Sequence, residues 1–209
     1  MFDDRTDAGE RLATALDHEG YEADVVLGIP RGGLPVSRPV ADVFDARLDV
    51  VVARKLGAPT NPELALGAVA SDGSVWLNEP LVDRLDVSEE YLDDVREKEA
   101  KNARQKADRY RPIGGEPDLA GTTTIVVDDG VATGATAIAC LRQVREADAD
   151  RVVLAVPVGS PDSMRALADE ADDAFALHTP PDFRAVGQFY RDFGQVSDEA
   201  AMAYLDRGK

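Results

Sequence analysis

Five short runs, each almost continuously apolar and rich in β-branched residues, set the tightest limit on how this chain can fold: residues 25–29, 48–52, 124–127, 152–156 and 174–177. Runs this short suit strands buried on both faces of a parallel sheet. Between and before them, helical periodicity marks residues 5–18, 34–45, 134–147 and 161–170, the last opening on Ser160-Pro161, a cap followed by proline at the first helical position. Strand and helix therefore alternate, and the expected class is α/β, a parallel β-sheet flanked by helices, in a single domain over residues 1–209. Two regions break the alternation. Residues 64–78 read as two short strands around Ser71-Asp72-Gly73-Ser74, a β-hairpin, and 88–110 as a long charged helix ending before Pro112 and Gly114-Gly115. Beyond His178 the chain is loop-rich and aromatic, with a last helix at about 198–206.

Composition narrows the setting. No stretch of 18 apolar residues is present, so no membrane partner is expected. The acidic opening Met1-Phe2-Asp3-Asp4-Arg5 has no apolar segment of a secretory signal, and the single Cys140 fits a reducing compartment; a cytoplasmic location is expected. The net charge of -17 is spread along the chain, with only five lysines against eighteen arginines. Diffuse acidity of this kind resembles proteins of salt-accumulating halophiles, since in molar salt the Debye length falls to about 3 Å and self-repulsion is screened. It also argues against nucleic acid as a partner.

Chemistry concentrates at strand ends. The run Val126-Val127-Asp128-Asp129-Gly130-Val131-Ala132-Thr133-Gly134-Ala135-Thr136 takes a buried strand into two carboxylates, a Gly/Thr-rich loop and a helix start. Backbone amides and the positive helix end suit a phosphate, and Thr133 and Thr136 add hydroxyl donors. An isolated Asp-Gly would be a cap and a turn; eleven residues in this order call for more. No G-K-[ST] is present, which disfavours direct nucleoside triphosphate chemistry. Gly28-Ile29-Pro30-Arg31-Gly32-Gly33 follows the first strand, with glycines that admit a close ligand and a planar cation for phosphate oxygens. Arg54-Lys55-Leu56-Gly57 places two cations at the end of the second strand, where α/β sheets bind ligands.

Together these segments resemble the type I phosphoribosyltransferase family, the 126–136 run matching its phosphoribosyl pyrophosphate (PRPP) signature. The resemblance spans about residues 24–192 and implies the type I fold with a β-hairpin lid (about 57–78) and a small C-terminal hood (about 178–209). It implies transfer of 5-phosphoribosyl from PRPP to a nitrogenous base, purine-like or other, with release of pyrophosphate. Asp128 and Asp129 would hold the ribose hydroxyls, and Mg2+ through water; Arg31, Lys55 and the amides around Gly32 and Gly33 would stabilise pyrophosphate, with Arg54 beside them. Gly130, Val131, Ala132, Thr133, Gly134, Ala135 and Thr136 would cradle the 5-phosphate, and Phe183 and Tyr190 of the hood would stack on the base. In the family's pyrophosphate loop a cis peptide adjoins the basic residue; the sequence leaves open whether Pro30 or Arg31 takes it here. The resemblance is compatible with a homodimer and names no acceptor base.

The remaining features carry less. Residues 96–111 hold seven basic side chains against Glu97, Glu99 and Asp108, and Asp94–Lys98 and Glu97–Lys101 at i,i+4 favour a solvated helix. His18 is expected to face solvent and Cys140 to be buried. The competing function is a regulatory protein that senses PRPP or a nucleotide without catalysis. A third reading, a dinucleotide-binding oxidoreductase, is dismissed unless a nicotinamide cofactor is seen to bind, because no G-x-G-x-x-G follows a strand and the Asp128-Asp129 pair is unexplained there.

Overall fold

The computed structural model describes residues 1–111 and 116–206. Helix α1 (Arg5–His18) leads into β1 (Val25–Gly28), α2 (Gly33–Phe44) and β2 (Arg47–Val50). Three antiparallel strands follow, β3 (Ala53–Ala58), β4 (Asn61–Ala70) and β5 (Val75–Leu77), and then α3 (Glu79–Arg84) and α4 (Glu89–Tyr110). The alternation resumes with β6 (Thr123–Val127), α5 (Ala135–Glu146), β7 (Arg151–Val158), α6 (Pro161–Ala168) and β8 (Asp173–His178); α7 (Asp198–Leu205) follows a 3-10 turn at Val186–Phe189.

The five expected runs form one parallel sheet in the order β2-β1-β6-β7-β8. Side chains alternate across it. Val26, Ile125, Val127, Val153 and Ala155 face one layer with Leu12 and Leu16 of α1 and Val36 and Val40 of α2. Leu27, Val126, Leu154 and Val156 face the other, with Ile138, Leu141 and Val144 of α5. Leu12, Leu16, Leu141 and Leu154 are fully buried, each worth about 1.5–3 kcal/mol of apolar transfer. β1 and β6 are neighbours although far apart in sequence, so the strand order reverses between them. That reversal opens a crevice at the carboxyl ends of the strands.

Two helix starts follow their local signals. Asp4 caps α1 by accepting from the Asp7 amide, and Ser160 caps α6 by accepting from the Ser163 amide. The excursion differs from a hairpin. Arg54 and Lys55 lie inside β3, which adds a third strand to β4 and β5, instead of leaving the second strand of the main sheet. Ala68 and Ala70 of this smaller sheet pack into the α5 side of the core, and Leu66 is fully buried. Its turn is fastened: Gln143 donates to Ser71 Oγ at 2.9 Å, Arg104 to Ser71 O at 3.0 Å, and Ser74 Oγ to Glu146 at 3.0 Å. The 71–74 half of the expected lid is thus bonded to α4 and α5, and at its other end Gly57 O accepts from the Tyr91 hydroxyl of α4 at 2.9 Å.

Helix α3 was outside the sequence expectation. Its signal is Asn78-Glu79-Pro80, a cap that accepts from the Leu81 amide with proline in the first turn. The long helix runs as expected to Tyr110, while Pro112 and Gly114-Gly115 lie outside the described residues. No helix among the described residues is long and apolar enough to cross a membrane.

Candidate active site

β1 and β6 are paired so that Gly28 stands opposite Val127, and the Ile29 amide donates to Val127 O at 2.9 Å. The two motifs therefore leave the sheet at one level, on either side of the strand-order reversal. Residues 29–33 and 128–134 touch. A Cβ at Gly32 would overlap Asp129 Oδ2, so only glycine lets the turn approach the carboxylate this closely. The cis peptide lies between Pro30 and Arg31.

Each carboxylate has one oxygen committed to protein. Asp128 Oδ1 accepts from the Asp129 amide at 2.8 Å, and Asp129 Oδ2 accepts from Arg5 Nε at 2.7 Å. Among the described residues no other residue is seen to donate to the remaining oxygen of either side chain, though the Asp129 amide also helps to lower the pKa of its own carboxyl. Burial, and then the charge of Asp129, push the Asp128 carboxyl well above the usual carboxylate range. Burial also raises Asp129, against the hydrogen bond and charge of Arg5. Gly134, at φ +80°, takes the cap position of α5 and brings no side chain to it. The first-turn amides are left open to an anion, beside a cavity of about 120 Å³ lined by Asp128 and residues 130–137.

The cations are divided between two faces. In β3, Lys55 shares a face with Ala53, opposite Ala68, and that face packs towards α5; Arg54 points the other way, pairing with Glu99 of α4 at 3.2 Å. Arg54, Arg31, Lys106 and Arg109 line a second cavity of about 370 Å³ between the 30–33 turn and α4. Lys106 Nζ donates to Pro30 O at 2.8 Å. Burial, and then the nearby charge of Arg54, lower its pKa. The expectation of a solvated basic helix holds for most of α4, with Lys106 the exception. One face of α4 carries buried Ala103, Ala107 and Tyr110, and Lys106 borders that stripe, so it turns inward. Ion pairs at the end of this helix run to other elements, Arg109 to Asp198 at 2.5 Å and, from the residue just after the helix, Arg111 to Asp49 at 2.7 Å.

The hood rests on the carboxylate loop. Val186 lies against Gly130, and Tyr190 donates its hydroxyl to Asp129 O at 2.6 Å. Tyr190 is buried, its ring 5.3 Å from that of Phe2 and 4.9 Å from that of Phe193, so it supports the loop from within the hood's core. Phe183 is half-buried and stacks on Phe189 at 5.6 Å. Arg31 and Thr133 are exposed at the crevice, with Thr136 half-buried beside them. His18 is exposed and Cys140 buried, as expected. Arg5 and Lys106 were missed. Their signals are an arginine in a helix's first turn, where acidic residues belong, and a lysine bordering a small-residue stripe.

Two half-engaged carboxylates, a cap-less helix start and a cation-lined cavity meet at one crevice. Such a site suits a ligand with vicinal hydroxyls between two anionic groups. Among the described residues no group of three or more His, Cys, Asp or Glu forms a metal cage.

Residues 3–193 match the family model of the phosphoribosyl transferase domain. A Mycobacterium tuberculosis protein, provisionally named phosphoribosyl transferase Rv0571c, is 46% identical over 207 residues, covering 99% of this chain and 47% of that protein. The chain thus spans about half the length of the curated relatives it matches. The crystal structure of TT1426 from Thermus thermophilus is 44% identical, with a TM-score of 0.82 over 98% of this chain and 97% of that one. A purine phosphoribosyltransferase from Pyrococcus horikoshii shares the fold, at 16% identity and a TM-score of 0.50 over 91% of this chain and 90% of that one.

Proposed function

The chain belongs to the phosphoribosyl transferase domain family, and from that membership we propose that it transfers 5-phosphoribosyl from PRPP to a nitrogenous base, releasing pyrophosphate. The observation that carries the reading is the meeting of the 30–33 turn with Asp128 and Asp129, each carboxylate keeping one oxygen for a ligand.

In this reading the free oxygens of Asp128 and Asp129 accept from the 2′ and 3′ hydroxyls. The open amides at the start of α5, with Thr133 and Thr136, hold the 5-phosphate. Breaking the C1–oxygen bond sends the electron pair to pyrophosphate and leaves oxocarbenium-like charge on the ribose, which the two carboxylates steady. Arg31, Lys106 and Arg54, with the amides of Gly32 and Gly33, receive the charge of the leaving group. A ring nitrogen of the base then bonds to C1 with inversion. The proton lost from that nitrogen goes to the departing pyrophosphate or to water.

The carboxylate pair fits Mg2+, which takes hard oxygen ligands, keeps water, and commonly uses one or two carboxylates together with substrate phosphates. When bound there, the ion supplies charge neutralisation for the pyrophosphate and ribose oxygens. Val186, Phe183 and the rest of the hood shape the base side, and the β3–β4 connection is the segment suited to cover the donor and exclude water.

The test is pyrophosphate release from PRPP and magnesium across a panel of bases and ammonia, beside Asp128→Asn/Asp129→Asn. Release that depends on one acceptor and is lost in the variant supports transfer and names the base. Donor binding with no release above the variant for any acceptor identifies a PRPP sensor instead.

A further inference from the structure

We propose that Arg5 is a positioning residue that couples the hood to the aim of Asp129, one guanidinium holding both. The inference rests on the ribose role given to Asp129 above. Arg5 Nε donates to Asp129 Oδ2 at 2.7 Å, and its Nη1 donates to Gly194 O at 2.8 Å. The guanidinium carbon lies 3.9 Å from the centre of the Phe193 ring. The side chain is only 12% exposed. Arg5 is the first residue of α1, where the helix dipole disfavours a cation. Its position is therefore explained by what it touches rather than by the helix it begins.

The residues before it bind the hood as a strap. Phe2 pairs with Tyr190 in a parallel bridge, its amide donating to Phe189 O at 2.7 Å and its carbonyl accepting from the Arg191 amide at 2.9 Å. Asp3 O accepts from the Asp192 amide at 2.9 Å, and Asp3 Oδ1 accepts from Arg191 Nη1 at 2.6 Å. On the other side of Asp129, Tyr190 holds the backbone carbonyl at 2.6 Å and Gly32 closes over Oδ2. The carboxylate is thus gripped at Oδ2 and at its own backbone by elements of the strap and hood, and Oδ1 is the oxygen presented. Without the guanidinium, the carboxylate is free to turn and the 193–194 segment loses its anchor in the same event.

The experiment compares the full chain with Arg5→Met and Arg5→Lys. Amide hydrogen exchange is followed without ligand at Asp129 and Val131, and at Arg191 and Asp192. PRPP affinity is measured by calorimetry, and thermal unfolding checks that each variant folds. Arg5→Met is expected to speed exchange at both pairs together and to weaken PRPP binding about tenfold or more, the loss of one charged hydrogen bond. Arg5→Lys keeps a cation for Asp129 but not the second arm, so affinity returns in part while Arg191 and Asp192 stay fast. Faster exchange at Arg191 and Asp192 alone, with Asp129, Val131 and PRPP affinity unchanged, would reduce Arg5 to a staple of the hood and overturn the proposal. If the unaltered chain binds no PRPP, the transfer reading fails; the exchange arm then decides the coupling alone, concerted acceleration upholding it and independent responses ending it.

Discussion

Asp128 pits function against stability. Its carboxyl is pushed above the ordinary range by burial and by Asp129, so between that range and the raised value the folded protein holds a proton the unfolded chain has lost. Stability contributed this way is present in acid and is lost as pH rises through that window. Asp128→Asn removes the loss and can still accept from the Asp129 amide. In metal-free buffer its Tm should exceed that of the unaltered chain at neutral pH, with the gap closing towards acid. Pyrophosphate release should fall by about a hundredfold or more, as when charge-stabilising groups are removed elsewhere. A Tm gap independent of pH would place the titration elsewhere. At Gly32 the constraint is steric. Gly32→Ala should cost about 1–3 kcal/mol in denaturant unfolding, through forced movement of Asp129, and should impair PRPP binding more than a surface change would.

At the scale of elements, the smaller sheet and α4 repay attention. Leu66 is fully buried beneath β3–β5, against Leu81 and Val82 of α3. Leu66→Ala should therefore cost about 2–5 kcal/mol in denaturant unfolding, as for other core leucines. A cost well under 1 kcal/mol would mean that the whole sheet lifts away as a lid, rather than its β3–β4 connection. Helix α4 meets the turn through Lys106 and Pro30 O, beside Arg31 and Arg54. Lys106→Met should weaken binding of inorganic pyrophosphate about tenfold, since hydrogen bonds to charged groups contribute about 1.5–3 kcal/mol. Calorimetry decides the point, and unchanged affinity would remove the cation-lined cavity from the donor site.

For the molecule as a whole, a net charge of -17 over 209 residues predicts self-repulsion that salt relieves. Thermal unfolding in rising potassium chloride should show Tm climbing well past the ionic strength at which isolated surface pairs are already screened. A flat or falling Tm would show that the local pairs, such as Arg142–Glu170 at 2.6 Å, already balance the acidity.

The alternation of apolar runs and helical periods determined the layered fold, because short runs without a polar face can be satisfied only inside a two-faced parallel sheet. Strand–loop–helix order likewise placed Asp128, Asp129 and Gly134 from local chemistry, and Ser160-Pro161 set the start of α6. What the sequence could not carry were relations between residues distant along the chain. Arg5 meets Asp129 only because β1 and β6 are neighbours and α1 starts above their ends. Lys106 reaches Pro30 only because α4 folds back over the turn. Arg54 and Lys55 part company only because β3 joins a second sheet and alternation sends them to opposite faces. Local periodicity and capping report each residue's near neighbours, whereas ion pairing, burial and the aim of a carboxylate are set by whatever the topology brings across the crevice.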